Sequence, residues 1–314
     1  MKEKMTNFRS KVIPLLLLAS FGVNIGQGFY IVKINSGGTA NQEQTTQSQT
    51  TKGETVSLEE VSPDQGYEIN AAFGDLGPKM IALGVIDLEK FKAAYSASGQ
   101  DLDQEQLDIL TKGSDTPVKI TSLNSKFLLN FFWALGLSNK SSILDAGDMV
   151  KDGGLKGAAR FASTGGWTLA KGDAMKYYSK ANFIKLTPAQ EKLVKEVASN
   201  IFRPCCNNST AFPDCNHGMA LLAVLELMAS NGASEKEMYE AGKYFSAFWF
   251  PGNYYDLALY FKNKEGKNFA DIDAKTLLGR EFSSSSGWQA AKQWLSSEGI
   301  IEQPPKQGGG GCGV

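Results

Sequence analysis

The chain contains a single histidine, His217, among 314 residues. That scarcity excludes multi-histidine metal sites, and it confines any imidazole chemistry to one position. Cysteine is scarce too. Four cysteines are too few to build a disulfide scaffold at this length. Neither charge is in excess: 32 Lys and Arg face 33 Asp and Glu, for a formal net charge of -1. Nucleic-acid binding is not expected, because contacts to phosphates need a basic surplus. No hydrolase triad, P-loop or paired-carboxylate motif stands out. The alternating pattern of strands is missing as well, apart from a short hint at Val118–Thr121. What remains is ordinary for a globular chain: 42% hydrophobic and 21% charged residues, enough for a core and against wholesale disorder.

The N-terminal end is organised in three parts. Residues 1–11 form a basic flank with Lys2, Lys4, Arg9 and Lys11 against Glu3. Residues 12–32 (VIPLLLLASFGVNIGQGFYIV) carry no charge and match the roughly 20 residues that cross a bilayer. No small-residue cleavage pattern follows Leu18, so an uncleaved signal anchor is favoured over a removed signal peptide. The basic flank assigns the N-terminus to the cytoplasm and the rest of the chain to the outside of the cytoplasmic membrane, as a single-pass protein. Residues 33–65 include NQEQTTQSQTT (41–51), with almost no apolar side chains. This stretch reads as a disordered tether, since it buries too little to offset its ordering entropy.

Residues 66–303 read as an all-α, multi-helix extracytoplasmic domain, with a glycine-rich sub-boundary at 145–171. Asp75, Asp87 and Asp103 precede helical segments, and NSKFLLNFFWALGL (124–137) is apolar on several faces, as a central helix requires. Thr187 with Gln190 and Ser234 with Glu237 form capping boxes, the first with Pro188 at the opening helical position. RFASTGGWTL (160–169) reads as an ordered loop with Trp167 in the core, or as an anion-binding turn. The aromatic run from Tyr244 to Tyr255 reads as packing, or as a groove lining. Residues 304–314 form a flexible tail ending GGGGCGV, with Cys312 near its end.

The informative segment is IFRPCCNNSTAFPDCNHGM (201–219). Cys205, Cys206, Cys215 and His217 concentrate there three of the four cysteines and the only histidine. A helix ends before Arg203-Pro204 and another begins near Asp214–His217, so the intervening loop closes a helical hairpin. Cys215 and His217 then fall at a helix N-terminus, where unpaired N–H groups and the nearby Arg203 favour a thiolate. The flexible tail permits Cys312 to return as a fourth sulfur ligand. Thiolate and imidazole donors suit Cu(I) or Zn(II). The same residues also fit a thiol–disulfide oxidoreductase or redox sensor, or a structural protein stapled by two disulfides. The spacing Cys-Cys-x8-Cys-x-His lacks the Cys-x2-Cys knuckle of zinc fingers.

RPCCNNSTAFPDCNHGMALL, with FLLNFFWALGL, FASTGGWTL and the GGGGCGV tail, resembles an uncharacterised family of membrane-anchored prokaryotic proteins with a PCC(x)8CNHG motif. That resemblance implies membrane attachment and brings no activity with it. The expectation from the residues is therefore a membrane-anchored metal-binding protein that exchanges its ion with a donor or acceptor protein.

Overall fold

Helix starts follow local chemistry. In the computed structural model, which describes residues 53–302, Ser57 and Glu60 form a capping box that opens α1 (Leu58–Val61). Strand β1 (Tyr67–Gly74) follows, then α2 (Leu76–Leu83), which ends at Gly84 with φ of 92°. Asp87 caps α3 (Leu88–Ala97), and the Asp103–Gln106 capping box opens α4 (Gln104–Thr111). Strand β2 (Ser114–Ile120) leads to the long apolar α5 (Ser125–Ser138). Three short helices come next: α6 (Ser142–Ala146), α7 (Asp148–Lys151) and α8 (Gly154–Ala158).

The second half is built from longer helices. These are α9 (Pro188–Asn200), α10 (Asn216–Ser230), α11 (Glu235–Trp249) and α12 (Pro251–Glu265). The capping boxes at Thr187 and Ser234 form as expected, each worth about 1 kcal/mol. Two short helices, α13 (Ala274–Leu278) and α14 (Arg280–Ser283), precede α15 (Ser285–Ser297).

The described residues are mostly helical, as expected, and carry one two-stranded ribbon beside the helices. β1 and β2 pair antiparallel, with Tyr67 opposite Ile120 and Ala72 opposite Pro117. Alternation is present in β1, where Ile69, Ala71 and Phe73 point inward, but alanine mutes its hydrophobic signal. Pro117 argues against a central strand. In a two-stranded ribbon its missing N–H falls on an edge and costs no ladder bond.

A correction concerns the tether. The packed chain begins by residue 53, not at Gly66. Val56 and Val61 are buried, and Glu54 is strapped to α12 through Asn263 and Lys262. The polar composition of 41–51 does not extend through these two valines, and their burial supplies the stabilisation that the tether lacks.

The core centres on α5 and α10, which cross in close contact. Gly136 makes the approach feasible: a Cβ there would meet the Met219 carbonyl oxygen at 2.3 Å. The described residues form one compact unit with no division at 145–171. That segment is tied into the core instead. Trp133 and Trp167 pack edge to face, and their indole N–H groups donate to Ser163 O and Val85 O. The core reading of Trp167 thus holds. No helix among the described residues is long and apolar enough to cross a membrane. The flank (1–11), the apolar run (12–32), the first part of the tether and the tail with Cys312 lie outside the described residues.

Candidate metal centre

The hairpin expected around the cysteine motif forms. α9 packs on α10, and the loop between them is cinched at its base. Thr210 N donates to Ile201 O and Ala211 N to Ala198 O, while Phe202 and Ser209 form an isolated bridge. Two other segments hold the loop from outside. Ser163 N donates to Asp214 O, Ser285 N to Cys206 O, and Ser286 to the Asn207 side chain.

Cys215 is the N-cap of α10. Its sulfur accepts from Gly218 N at 3.3 Å, in the place where serine or aspartate usually accepts. Cys205 Sγ lies 3.5 Å from Cys215 Sγ. One ring nitrogen of His217 and the sulfurs of Cys205 and Cys215 all lie within 4.8 Å of one another. The His217 ring packs on Phe250 and Trp249, at centroid distances of 4.2 and 5.9 Å, and its Nδ1 is buried with no hydrogen-bond partner. The late part of the aromatic run therefore orients the histidine, while Phe245 and Tyr254 fill the core.

A second triad, Cys206, Asp214 and Cys215, meets the same distance limit. It already has a cation. The fully buried guanidinium of Arg203 donates to Cys215 Sγ through Nε at 3.3 Å. Its Nη2 donates to Cys206 Sγ at 3.3 Å and to Asp214 Oδ1 at 3.0 Å. Gly218 clears room for it, since a Cβ there would sit 2.7 Å from Arg203 Cζ. The triad with the histidine is thus the one open to a metal ion, and Arg203 is the outer partner that fixes its shared sulfur.

The electrostatics follow from this arrangement. Hydrogen bonds from Cys205 and Cys206, then the Arg203 charge and His217, hold the Cys215 thiol well below its usual range despite burial. Cys206 is pushed up: its bond from Cys205 favours the thiolate, but Cys215 and burial outweigh it. Burial opposes the charge on Arg203, yet Cys215, Cys206, Cys205 and Asp214 raise its pKa above normal, so it stays a cation. Asp214 is nevertheless pushed up, by burial and then by the Cys215 anion. The two partners of one ion pair shift in ways that look inconsistent. The reason is that Arg203 is shared among several anions, so each receives only part of its charge.

The structure brings together Cys205, Cys206, Cys215 and His217, while Cys312 lies outside the described residues. Sequence reasoning missed Asp214 as a member of the cluster and Asn208, which donates to Asp214 Oδ2 at 2.8 Å. The adjacency of Asp214 to Cys215 was the available signal. A Cys/His/Asp cluster able to hold a metal ion is therefore present. Comparison with protein-family models, curated proteins and solved structures gave no match to this chain.

Proposed function

We propose that the protein is a membrane-anchored, extracytoplasmic metal-binding protein that captures or delivers a soft ion, Cu(I) or Zn(II), through Cys205, Cys215 and His217. The observation that carries this reading is the buried His217 Nδ1, without a partner, on a residue whose ring meets two sulfurs within 4.8 Å. A buried polar nitrogen left unsatisfied costs about 1–3 kcal/mol, which a metal bond would recover. The sulfur spacing supports the same reading. Thiolates about 2.3 Å from a tetrahedral ion stand about 3.8 Å apart, close to the 3.5 Å between Cys205 and Cys215. Cys206 or the tail cysteine Cys312 completes the coordination, and a donor or acceptor protein exchanges the ion. The charge-free run 12–32 supports anchoring.

A second reading, thiol–disulfide oxidoreductase, is favoured by the same 3.5 Å sulfur contact beside a buried arginine. Metal content and free thiols measured on one anaerobically purified sample separate the two. About one Cu or Zn per chain, lost in Cys215→Ser and in His217→Ala, supports the metal site. No metal after loading, with thiols that cycle against a disulfide buffer, supports the oxidoreductase. A Cys312→Ser variant with unchanged affinity removes the tail from the ligand set.

A further inference from the structure

We infer that oxidation of Cys205 and Cys215 to a disulfide expels the metal, so that occupancy of the centre is set by the thiol–disulfide state of its surroundings. This inference rests on the metal reading above. The two sulfurs stand at 3.5 Å, between the separation of about 3.8 Å that spans an ion and the bond of about 2.05 Å that replaces it. From the 3.5 Å contact, a closure of about 1.5 Å forms the bond.

The two sulfurs differ in how they are held. Cys215 is buried and pinned at the helix cap by Gly218 N and Arg203 Nε. Cys205 is half-buried, in the turn after Arg203, and is the more accessible sulfur of the pair. Cys206 Sγ also lies within 4.8 Å of Cys215 Sγ, but it is held by Arg203 Nη2 at 3.3 Å and lies 4.0 Å from Asp214 Oδ1. A bond between the neighbours Cys205 and Cys206 would close a small, strained ring. The geometry therefore selects Cys205–Cys215 among the pairs of this loop.

The oxidant is a disulfide, R–S–S–R, small or carried by a protein. The Cys205 thiolate attacks one of its sulfurs, forming Cys205–S–S–R and releasing one RS⁻. The Cys215 thiolate then attacks Cys205 Sγ, forming the internal disulfide and releasing the second RS⁻. The two cysteines give up two electrons, R–S–S–R takes them, and both departing thiolates are free to take protons from water. Disulfide sulfur carries no negative charge, so the ion loses both thiolates of this pair, and His217 with a single further cysteine does not retain it.

The test uses the full-length protein in detergent, loaded with zinc after reduction and then cleared of reductant. Oxidised glutathione is added, and released zinc is read with a chromogenic chelator while remaining thiols are counted. The expected result is loss of essentially all bound zinc in step with two thiols per chain. Peptide mass mapping should place the bond at Cys205–Cys215, and reduction should restore binding. Each single variant, Cys206→Ser or Cys312→Ser, leaves the other cysteine to complete the coordination and, once loaded, should release its zinc in step with the same two thiols. Zinc retained after thiol loss, zinc released without it, or a bond mapped to Cys206 or Cys312 overturns the inference. A reduced chain that binds neither zinc nor Cu(I) before any oxidant is added instead overturns the metal reading, and this is seen at a separate step.

Discussion

Helix α10 carries buried ionisable groups at two places, about 16 Å apart along its axis. At its N-terminal end, Cys215 and Asp214 surround the buried Arg203 cation. Further along, Glu226 is fully buried with neutral partners: Asn139 Nδ2 donates to it at 2.9 Å, and Ser141 also bonds it. The outcomes differ. Burial, with a small push from Glu191, raises the Glu226 pKa to about 7, and the two hydrogen bonds only soften the shift. Cys215, equally buried, is shifted the other way. With neutral hydrogen bonds alone the buried Glu226 carboxyl is pushed up to about 7, whereas a dense set of donors with a shared cation shifts Cys215 down.

The comparison is broken most severely at Arg203. Arg203→Met should leave Cys215 and Asp214 without their cation and destabilise the fold by about 3–5 kcal/mol, read from urea denaturation. Thiol reactivity against pH should show the Cys215 pKa rising towards the ordinary range.

Glu226→Gln sharpens the other side. Glutamate titrates near 4.5 when unfolded and near 7 when folded. Its contribution to stability is therefore fully present below pH 4.5 and is lost as the pH rises through 7. The difference in stability between Glu226→Gln and the parent should shift by about 2–3 kcal/mol in favour of glutamine between pH 4.5 and pH 8.5. A difference that stays constant with pH would mean that Glu226 is not buried as a neutral acid.

Smaller effects probe how the cation is seated. Gly218→Ala forces a Cβ against the guanidinium and should cost about 1–3 kcal/mol, with the Cys215 pKa raised. Asn208→Ala removes one donor to Asp214 and should cost about 1 kcal/mol, with Asp214 titrating at higher pH by NMR. Neither change should alter the titration of Glu226, because the two clusters share no partner.

Much of the helical framework is legible in the chain. Asp87, Asp103, Thr187 and Ser234 each accept the first-turn N–H groups that their spacing predicts, because capping is chemistry within four residues. The hairpin around Cys205–Cys215 is legible for the same reason: Pro204 and Pro213 bracket a loop between two capped helices. The β-ribbon is not. Its strands are separated by three helices, the alternation of β1 is muted by alanine, and β2 buries only Val118 and Ile120. Asp214 is less legible, because an aspartate before a helix usually caps it. Here Cys215 takes the cap and Asp214 turns to Arg203.

Composition and spacing by themselves determined which residues were available: one histidine, a cysteine motif, and helix ends that bring the two ends of that motif together. The tertiary structure decided what those residues became. It put Arg203 inside one triad and left the other facing His217, whose Nδ1 it buried without a partner. It also gave Cys215 and Glu226, on one helix, opposite pKa shifts. The reason is physical. Capping and turn chemistry act within a few residues, whereas the charge state of a buried group depends on every dipole and ion packed around it, including those from distant parts of the chain.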